Sequence, residues 1–357
     1  MARYAELLHS ELLKRGYAAE EMHPAAMATR LVTRRSRLFR WLGYLDKFVF
    51  FPPMLWFRSR RAEIVHVCDH SNSFYLRWTG KTPSVITAHD ALAIRSALGD
   101  FPQNPTRWSG VKLQRWILSG LRHAGRIICV SEKTRQDFAA LLPKGLAMTV
   151  ISNPLPANFR RGRVDDVKAV RGACGLGAED EYLLHVGKDN WYKNRPGMLR
   201  IMALLRDFPR FRDVKLVMAG AALPAELREK AQTIGGVVEY VGPSDEQLRA
   251  LYTGALALLF PSLEEGFGWP VLEAQACGCP VITSARSPMK EVSGGAAILI
   301  DPTDEAGSAK VIAERIKEAE VLREAGLENA TAYSLVSTMD KYCEVYREMV
   351  SAAGAKD

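Results

Sequence analysis

Ten short apolar runs punctuate the chain, separated by polar and amphipathic stretches. Four lie in the first half: EIVHVC (63–68), SVITAHD (84–90), RIICVS (126–131) and MTVIS (148–152). Six lie in the second: YLLHVG (182–187), KLVMAG (215–220), VEYVG (238–242), ALALLFP (255–261), PVITS (280–284) and AILID (297–301). Such runs, rich in Val, Ile and Leu, have the length of strands rather than helices. They are apolar at nearly every position, the pattern of strands buried on both faces. The amphipathic segments between them fit covering helices, so the pattern predicts an α/β protein with parallel sheets. Between the halves, SNPLPANFRRGR (152–163) is polar and carries two prolines, the character of an interdomain linker. It sets predicted domains at residues 1–160 and 161–334.

Length agrees, since 357 residues suit two domains of roughly 150–200 residues each. No stretch reaches the roughly 18 uncharged apolar residues of a membrane span. FVFFPPMLWF (48–57) comes nearest and is broken by Pro52 and Pro53. The opening MARYAELLHSELLKRG carries acids in a helical pattern, which does not read as a signal peptide. The six cysteines are scattered, several inside strand-like runs, which favours reduced thiols over a disulfide framework. Cys277 and Cys279 lack a second ligand pair at metal spacing, so no metal site is expected there.

Charge adds an asymmetry. Residues 1–168 hold 27 Lys and Arg against 13 Asp and Glu, whereas residues 169–357 hold 21 against 27. The basic excess peaks at residues 30–61, where Asp46 is the one acid. There the basic residues interleave with Trp41, Phe48, Phe50, Phe51, Trp56 and Phe57. That mixture suits an anionic membrane surface. Nucleic acid, or a solvated basic face over a core helix, would account for it as well.

The candidate chemistry concentrates after the run ALALLFP, whose strand ends near Pro261. The loop that follows is rich in Gly and acid. Pro270 suits the first helical position and Gly278 a helix stop, with the next strand beginning at Pro280. Gly266, Phe267 and Gly268 therefore fall just before a helix N-terminus. Small residues there let a diphosphate approach free N–H groups, and the helix dipole favours it. Glu265 lies in the loop and Glu273 in the first helical turn, where the helix start is expected to lower its pKa and keep it an acceptor. An ionised carboxylate at a strand end can hold two vicinal hydroxyls, as of a ribose. Dipole complementation alone would also place a glutamate at position 273, and Glu264 reads as solvated.

The segment SLEEGFGWPVLEAQACGCPVI (262–282) resembles the signature of glycosyltransferase family 4, a retaining family with the GT-B fold. The resemblance implies two Rossmann-like, doubly wound parallel-sheet domains facing a cleft. It implies that Glu265 contacts the donor sugar and that Glu273 binds the nucleotide ribose. HVGKDNWYKN (185–194) resembles the family's second donor element and puts Gly187, Lys188, Lys193 and Asn194 beside the donor. The family often has Arg where Lys188 stands; lysine keeps the charge but loses bidentate phosphate geometry. Two cations there would neutralise charge on a departing diphosphate. Glu291 and Gly295 resemble a family turn next to the nucleotide.

In the first half, His89 and Asp90 resemble the family's histidine–aspartate pair facing the transferred sugar. Asp69, His70, Ser71 and Asn72 follow another predicted strand end and are candidate acceptor contacts. Ser131 is placed to cap a helix. LVSTMDKYCEVYREMV (335–350) resembles the family's last helix, which crosses back to the first domain. The family opens with a strand and a glycine loop ahead of a helix like ARYAELLHSELLKRG. This sequence starts at the helix, so the first sheet is expected to lack its opening strand and to show an exposed edge.

The expected activity is retaining transfer of a hexose-type sugar from a nucleoside-diphosphate sugar to a glycan or lipid-linked acceptor. Surface polysaccharide or lipopolysaccharide assembly is the expected setting, in the cytoplasm or peripherally on the inner face of the plasma membrane. Retention follows from the resemblance. Glu265, Lys193 and His89 are the expected catalytic residues. The nucleotide sugar is the co-substrate, and no cofactor or metal is expected because the lysines can do a divalent ion's work. No nucleic-acid partner is expected. Two other readings are an epimerase of the same fold and an N-terminally incomplete, inactive module that binds sugar nucleotides.

Overall fold

The structure, a computed structural model, describes residues 2–33 and 38–355. It divides into two compact units, Met1–Ile151 with Met339–Asp357, and Ser152–Thr338. The polar segment 152–163 groups with the second unit, where the Gly162 N–H donates to Thr253 Oγ1 at 2.8 Å. Nearby, the Leu155 N–H donates to the Tyr333 carbonyl, also at 2.8 Å.

The first unit holds a four-stranded parallel sheet. Its strands are β1 (Val65–Val67), β2 (Ser84–Ala88), β3 (Arg126–Cys129) and β4 (Met148–Val150), in that spatial order. The second unit holds six parallel strands: β5 (Tyr182–Gly187), β6 (Lys215–Gly220), β7 (Val237–Val241), β8 (Ala257–Phe260), β9 (Val281–Ser284) and β10 (Ile298–Ile300). They lie in the order β10-β9-β8-β5-β6-β7. Each apolar run forms one strand, with β7 starting one residue early. The reason is burial on both faces: β2, β8 and β9 are buried at every position.

In the first unit, Ile86 and Ile127 pack with Ile117, Leu121 and Phe138 in one core. Burial of each such side chain is worth about 1.5–3 kcal/mol, far more than the few tenths contributed by a surface helix pair. The last helix, Leu335–Gly354, joins this unit from Met339 onward. A polar cluster fixes it there. Tyr346 Oη meets His66 Nδ1 at 2.6 Å, His66 Nε2 meets Thr87 Oγ1 at 2.8 Å, and Tyr342 bonds Tyr4. Burial pushes the His66 pKa down to about 3, so the ring is neutral at pH 7.

The basic aromatic stretch is a continuous helical run: Leu38–Leu45, a wide turn at Asp46–Phe50, and Phe51–Ser59. Pro52 and Pro53 have no N–H to give the carbonyls one turn earlier, and the wide turn sits just before them. Asp46 is buried and accepts from the backbone N–H groups of Met27, Ala28 and Thr29 and from Thr29 Oγ1. Residues 34–37 of that stretch lie outside the described residues. Among the described residues, no helix is long and apolar enough to cross a membrane. All six cysteines are free thiols.

Candidate functional site

The strand order reverses at β5, with β6 and β7 on one side and β8, β9 and β10 on the other. At such a reversal, loops leaving the carboxyl ends of the central strands part, and open α/β sheets bind ligands there. The two loops concerned follow β5 and β8. They are the two segments that resemble donor elements, and the sheet brings them together.

Their side chains meet. Lys193 Nζ donates to Glu265 Oε1 at 2.6 Å, and both side chains are about nine-tenths buried. The ammonium also lies 4.5 Å from the centroid of the Phe260 ring, in a cation–π contact. The Leu263 N–H donates to the Tyr192 carbonyl at 2.8 Å and ties one loop to the other. Taking two charges out of water needs close geometry to offset desolvation, which this pair has.

Asn194 follows Lys193 with a left-handed backbone, φ 53°. Its Nδ2 donates to the Pro261 carbonyl at 3.2 Å and the Pro302 carbonyl at 2.9 Å. The side chain expected to touch the donor instead joins the loops after β5, β8 and β10. Lys188 is exposed on the loop after β5. Only Lys193 of the two lysines is held by a carboxylate in this cluster.

Arg195 was not singled out from the sequence, yet it is almost fully buried behind the first loop. Its Nη2 donates to the carbonyls of Gly187 at 2.7 Å and Ala221 at 2.9 Å. The guanidinium thereby clamps the chain ends that leave β5 and β6. Burial lowers its pKa. A signal existed: arginine opens the helix Arg195–Leu205, where the dipole disfavours a cation, so a special reason was needed. The strand ends approach closely. At Gly220, φ is 129°, and an added Cβ would stand 2.1 Å from the Gly187 carbonyl oxygen. Arg286, after β9, is a second cation missed by sequence reasoning. It donates to Thr303 Oγ1 at 3.2 Å and reaches the Leu263 carbonyl at 3.5 Å.

The loop after β8 enters the helix Trp269–Ala276 through Gly268, whose φ is 98°, and no side chain caps that helix. Three expectations need correction here. Pro270 is the second helical residue. Phe267 is buried, with its ring against Trp269 and Tyr333, so its side chain anchors the loop. Glu273 stands in the second helical turn, beyond the free N–H groups, and its pKa is not lowered. Burial pushes it up to about 7, opposed by a hydrogen bond from Tyr252, whose Oη donates to Oε2 at 2.9 Å. Glu291 accepts from Ser287 Oγ at 2.9 Å.

In the first unit, β1 and β2 are neighbours and their carboxyl ends bring the other candidates together. His89 Nε2 donates to the Cys68 carbonyl at 2.9 Å, and its ring meets Tyr4 edge-on at 5.0 Å. Burial lowers its pKa, so the ring is neutral and Nδ1 is its acceptor. Asp69 Oδ1 accepts from the Ser71 N–H at 2.8 Å and opens the 3-10 turns His70–Trp78, which contain Asn72. His70 is buried against Phe138, with Nδ1 3.6 Å from Asp69. Asp90 accepts from the Leu92 N–H. Asp69 and Asp90 both serve as local turn caps. Ser131 caps its helix as expected, accepting from the Thr134 N–H at 3.1 Å. Among the described residues, no set of three His, Cys, Asp or Glu side chains could hold a metal ion.

Two Rossmann-like parallel-sheet units in one chain make the GT-B fold, and solved structures share it. Sucrose-phosphate synthase of Thermosynechococcus elongatus superposes with a TM-score of 0.76 at 20% identity, covering 98% of this chain and 93% of that one. The Anabaena protein HepE, solved in complex with UDP and glucose, gives 0.70 at 17%, covering 86% and 83%. Family profiles match in sequence too: Glycosyltransferase Family 4 over residues 1–159 and Glycosyl transferases group 1 over residues 167–331. The chain belongs to this glycosyltransferase family. It is 28% identical to D-inositol 3-phosphate glycosyltransferase of Mycolicibacterium vanbaalenii over 77% of its length, spanning 63% of that relative. It is 36% identical to O-antigen chain mannosyltransferase B of Escherichia coli over 34% of its length and 33% of that protein's.

Proposed function

We propose that this protein transfers a hexose-type sugar from a nucleoside-diphosphate sugar to a glycan or lipid-linked acceptor, with retention at the anomeric carbon. The observation that carries the reading is the Lys193–Glu265 pair, at 2.6 Å, where the second sheet reverses. The ammonium neutralises charge that gathers on the departing diphosphate, in a site where desolvation strengthens the interaction. Glu265 accepts hydrogen bonds from hydroxyls of the donor sugar. Glu273 holds the ribose diol in its ionised form. The start of the helix Trp269–Ala276, which no side chain caps, offers backbone N–H groups to the phosphates. His89, as a neutral ring with Nδ1 as its acceptor, can accept a hydrogen bond from a sugar hydroxyl.

The names of relatives guide the choice of ligands. The likeness to an O-antigen chain mannosyltransferase supports a role in surface polysaccharide assembly, and HepE, solved with UDP and glucose, makes UDP-glucose the first donor to try. The test is a thermal-shift screen over UDP-, GDP- and ADP-sugars. Transfer assays of wild type, Glu265→Gln and Lys193→Met then follow with the stabilising donor. Stabilisation by one donor, with loss of transfer in both variants, is expected. No stabilisation by any donor, or near wild-type transfer in both variants, overturns the reading.

A further inference from the structure

The first unit carries an exposed surface that glycosyl transfer from a nucleotide does not use. On the helical run from Leu38 to Ser59, Leu38, Trp41, Tyr44 and Leu45 are exposed at helical spacing. Trp41 is 68% exposed. From it a band of rings continues without a break. Trp41 meets Tyr44 at 6.0 Å, Tyr44 stacks on Phe48 at 6.0 Å, and Phe48 meets Trp116 at 5.4 Å. Trp116 belongs to the helix Trp108–Leu121, whose Trp108 is 72% exposed. Two helices thus present one aromatic face, and isolated exposed apolar residues would not line up so.

Cations also lie on exposed rings of the same two helical segments. Arg60 sits over Trp56 at 4.8 Å, Arg61 over Phe57 at 4.7 Å, and Lys112 over Trp108 at 4.7 Å. Arg58 is exposed beside them, in a 3.3 Å pair with Glu20. The stretch's one acid, Asp46, is buried and used by backbone donors, so it does not offset the surface charge. A small apolar cavity lined by Ala25, Met27, Phe50, Phe51 and Met54, with Asp46, opens on the same run.

Three occupants can be compared. A second copy across a two-fold axis would set Arg58, Arg60 and Arg61 near their own copies, like charge against like. A nucleic acid would satisfy the cations but leave the exposed aliphatic Leu38, Leu45 and Val49 in water. An anionic bilayer satisfies both, with rings and aliphatic chains at the acyl boundary and guanidinium groups among lipid phosphates. We infer that this face, built from residues 38–61 and the exposed side of the helix Trp108–Leu121, docks the protein on an anionic phospholipid membrane. The run lies in the interface plane rather than crossing it.

The test is co-sedimentation of the full chain with vesicles of phosphatidylcholine alone, and of phosphatidylcholine with roughly a third phosphatidylglycerol to supply negative surface potential. Binding to the anionic vesicles is expected, weakened by salt. Arg58→Glu/Arg60→Glu/Arg61→Glu is expected to lose at least about tenfold in partitioning, since each surface cation counts near the bilayer. Trp41→Ser/Phe57→Ser is expected to lose binding even at low salt. Hydrogen exchange on the wild type needs no variant and should show protection of residues 38–61 and 108–116 with anionic vesicles. Equal binding to both lipid mixtures overturns the inference. So does absence of protection there, or the same protection produced by raised protein concentration or duplex DNA without lipid. The assay needs no donor or acceptor, so its outcome is independent of the glycosyl-transfer reading.

Discussion

Replacing Glu273 with Gln isolates a single buried proton. Glutamine keeps the shape and still accepts from Tyr252 Oη, but it cannot ionise. In the native protein, burial raises the Glu273 pKa from 4.5 to about 7. The native state therefore holds a proton between those values that the unfolded chain has released, and stability falls as pH rises through that window. Above the native pKa the carboxylate is ionised in both states and the slope ends. A carboxyl raised this far makes ionisation cost the native state about 3 kcal/mol; the side chain is partly accessible, so roughly 2–3 kcal/mol is expected.

The assay is urea unfolding of wild type and Glu273→Gln between about pH 5 and pH 8.5. Hydrogen exchange of amides in β8 and the helix Trp269–Ala276 ties the transition to the second unit. Other groups titrate in both proteins and cancel in the difference, including the buried His185, whose pKa burial lowers to about 3. The stability of Glu273→Gln relative to wild type should rise by about 2–3 kcal/mol from the acid to the alkaline end. A difference that is flat across this window refutes the raised pKa, since a carboxyl lowered by the helix start would change the difference only below its unfolded value of 4.5.

The remaining predictions concern the same unit and its ligand. Donor affinity in wild type should rise between about pH 6 and pH 8 as Glu273 ionises to receive the ribose diol, and should be weaker and pH-independent in Glu273→Gln, read by calorimetry. Lys193→Met leaves Glu265 buried without its partner and should destabilise by about 3–5 kcal/mol, whereas Lys193→Met/Glu265→Gln should recover most of that in urea melts while transfer stays lost. Gly220→Ala should cost at least about 2 kcal/mol and weaken donor binding, because Cβ would collide with the Gly187 carbonyl; an unchanged melting curve would exclude that contact. Tyr346→Phe should cost about 1–2 kcal/mol in the first unit by removing the Nδ1 partner of His66.

The ten strands were legible because each run is apolar at most of its positions, with single polar residues such as His66, Thr87 and Glu239 too few to break it. The donor loops were legible because glycine, acid and lysine at fixed spacing constrain backbone and charge together. Environment was less legible, because it depends on what the fold packs against each residue from elsewhere. Glu273 is a glutamate near a helix start in any reading of the sequence. Its proton is decided by burial, which outweighs the hydrogen bond from Tyr252 on the helix Asp245–Gly254. Phe267 reads as part of a ligand loop until Tyr333, far along the chain, is seen to cover its ring.

Arg195 shows the same logic in the other direction. A cation at a helix start contradicts the dipole, and its resolution lies in the carbonyls of Gly187 and Ala221, which belong to two different strand ends. A local rule broken without a local reason points to a distant partner. That partner here is the frame of the loop carrying Lys193. Arg195 acts by holding that loop, so its loss should weaken donor binding through the position of Lys193 rather than through a contact of its own.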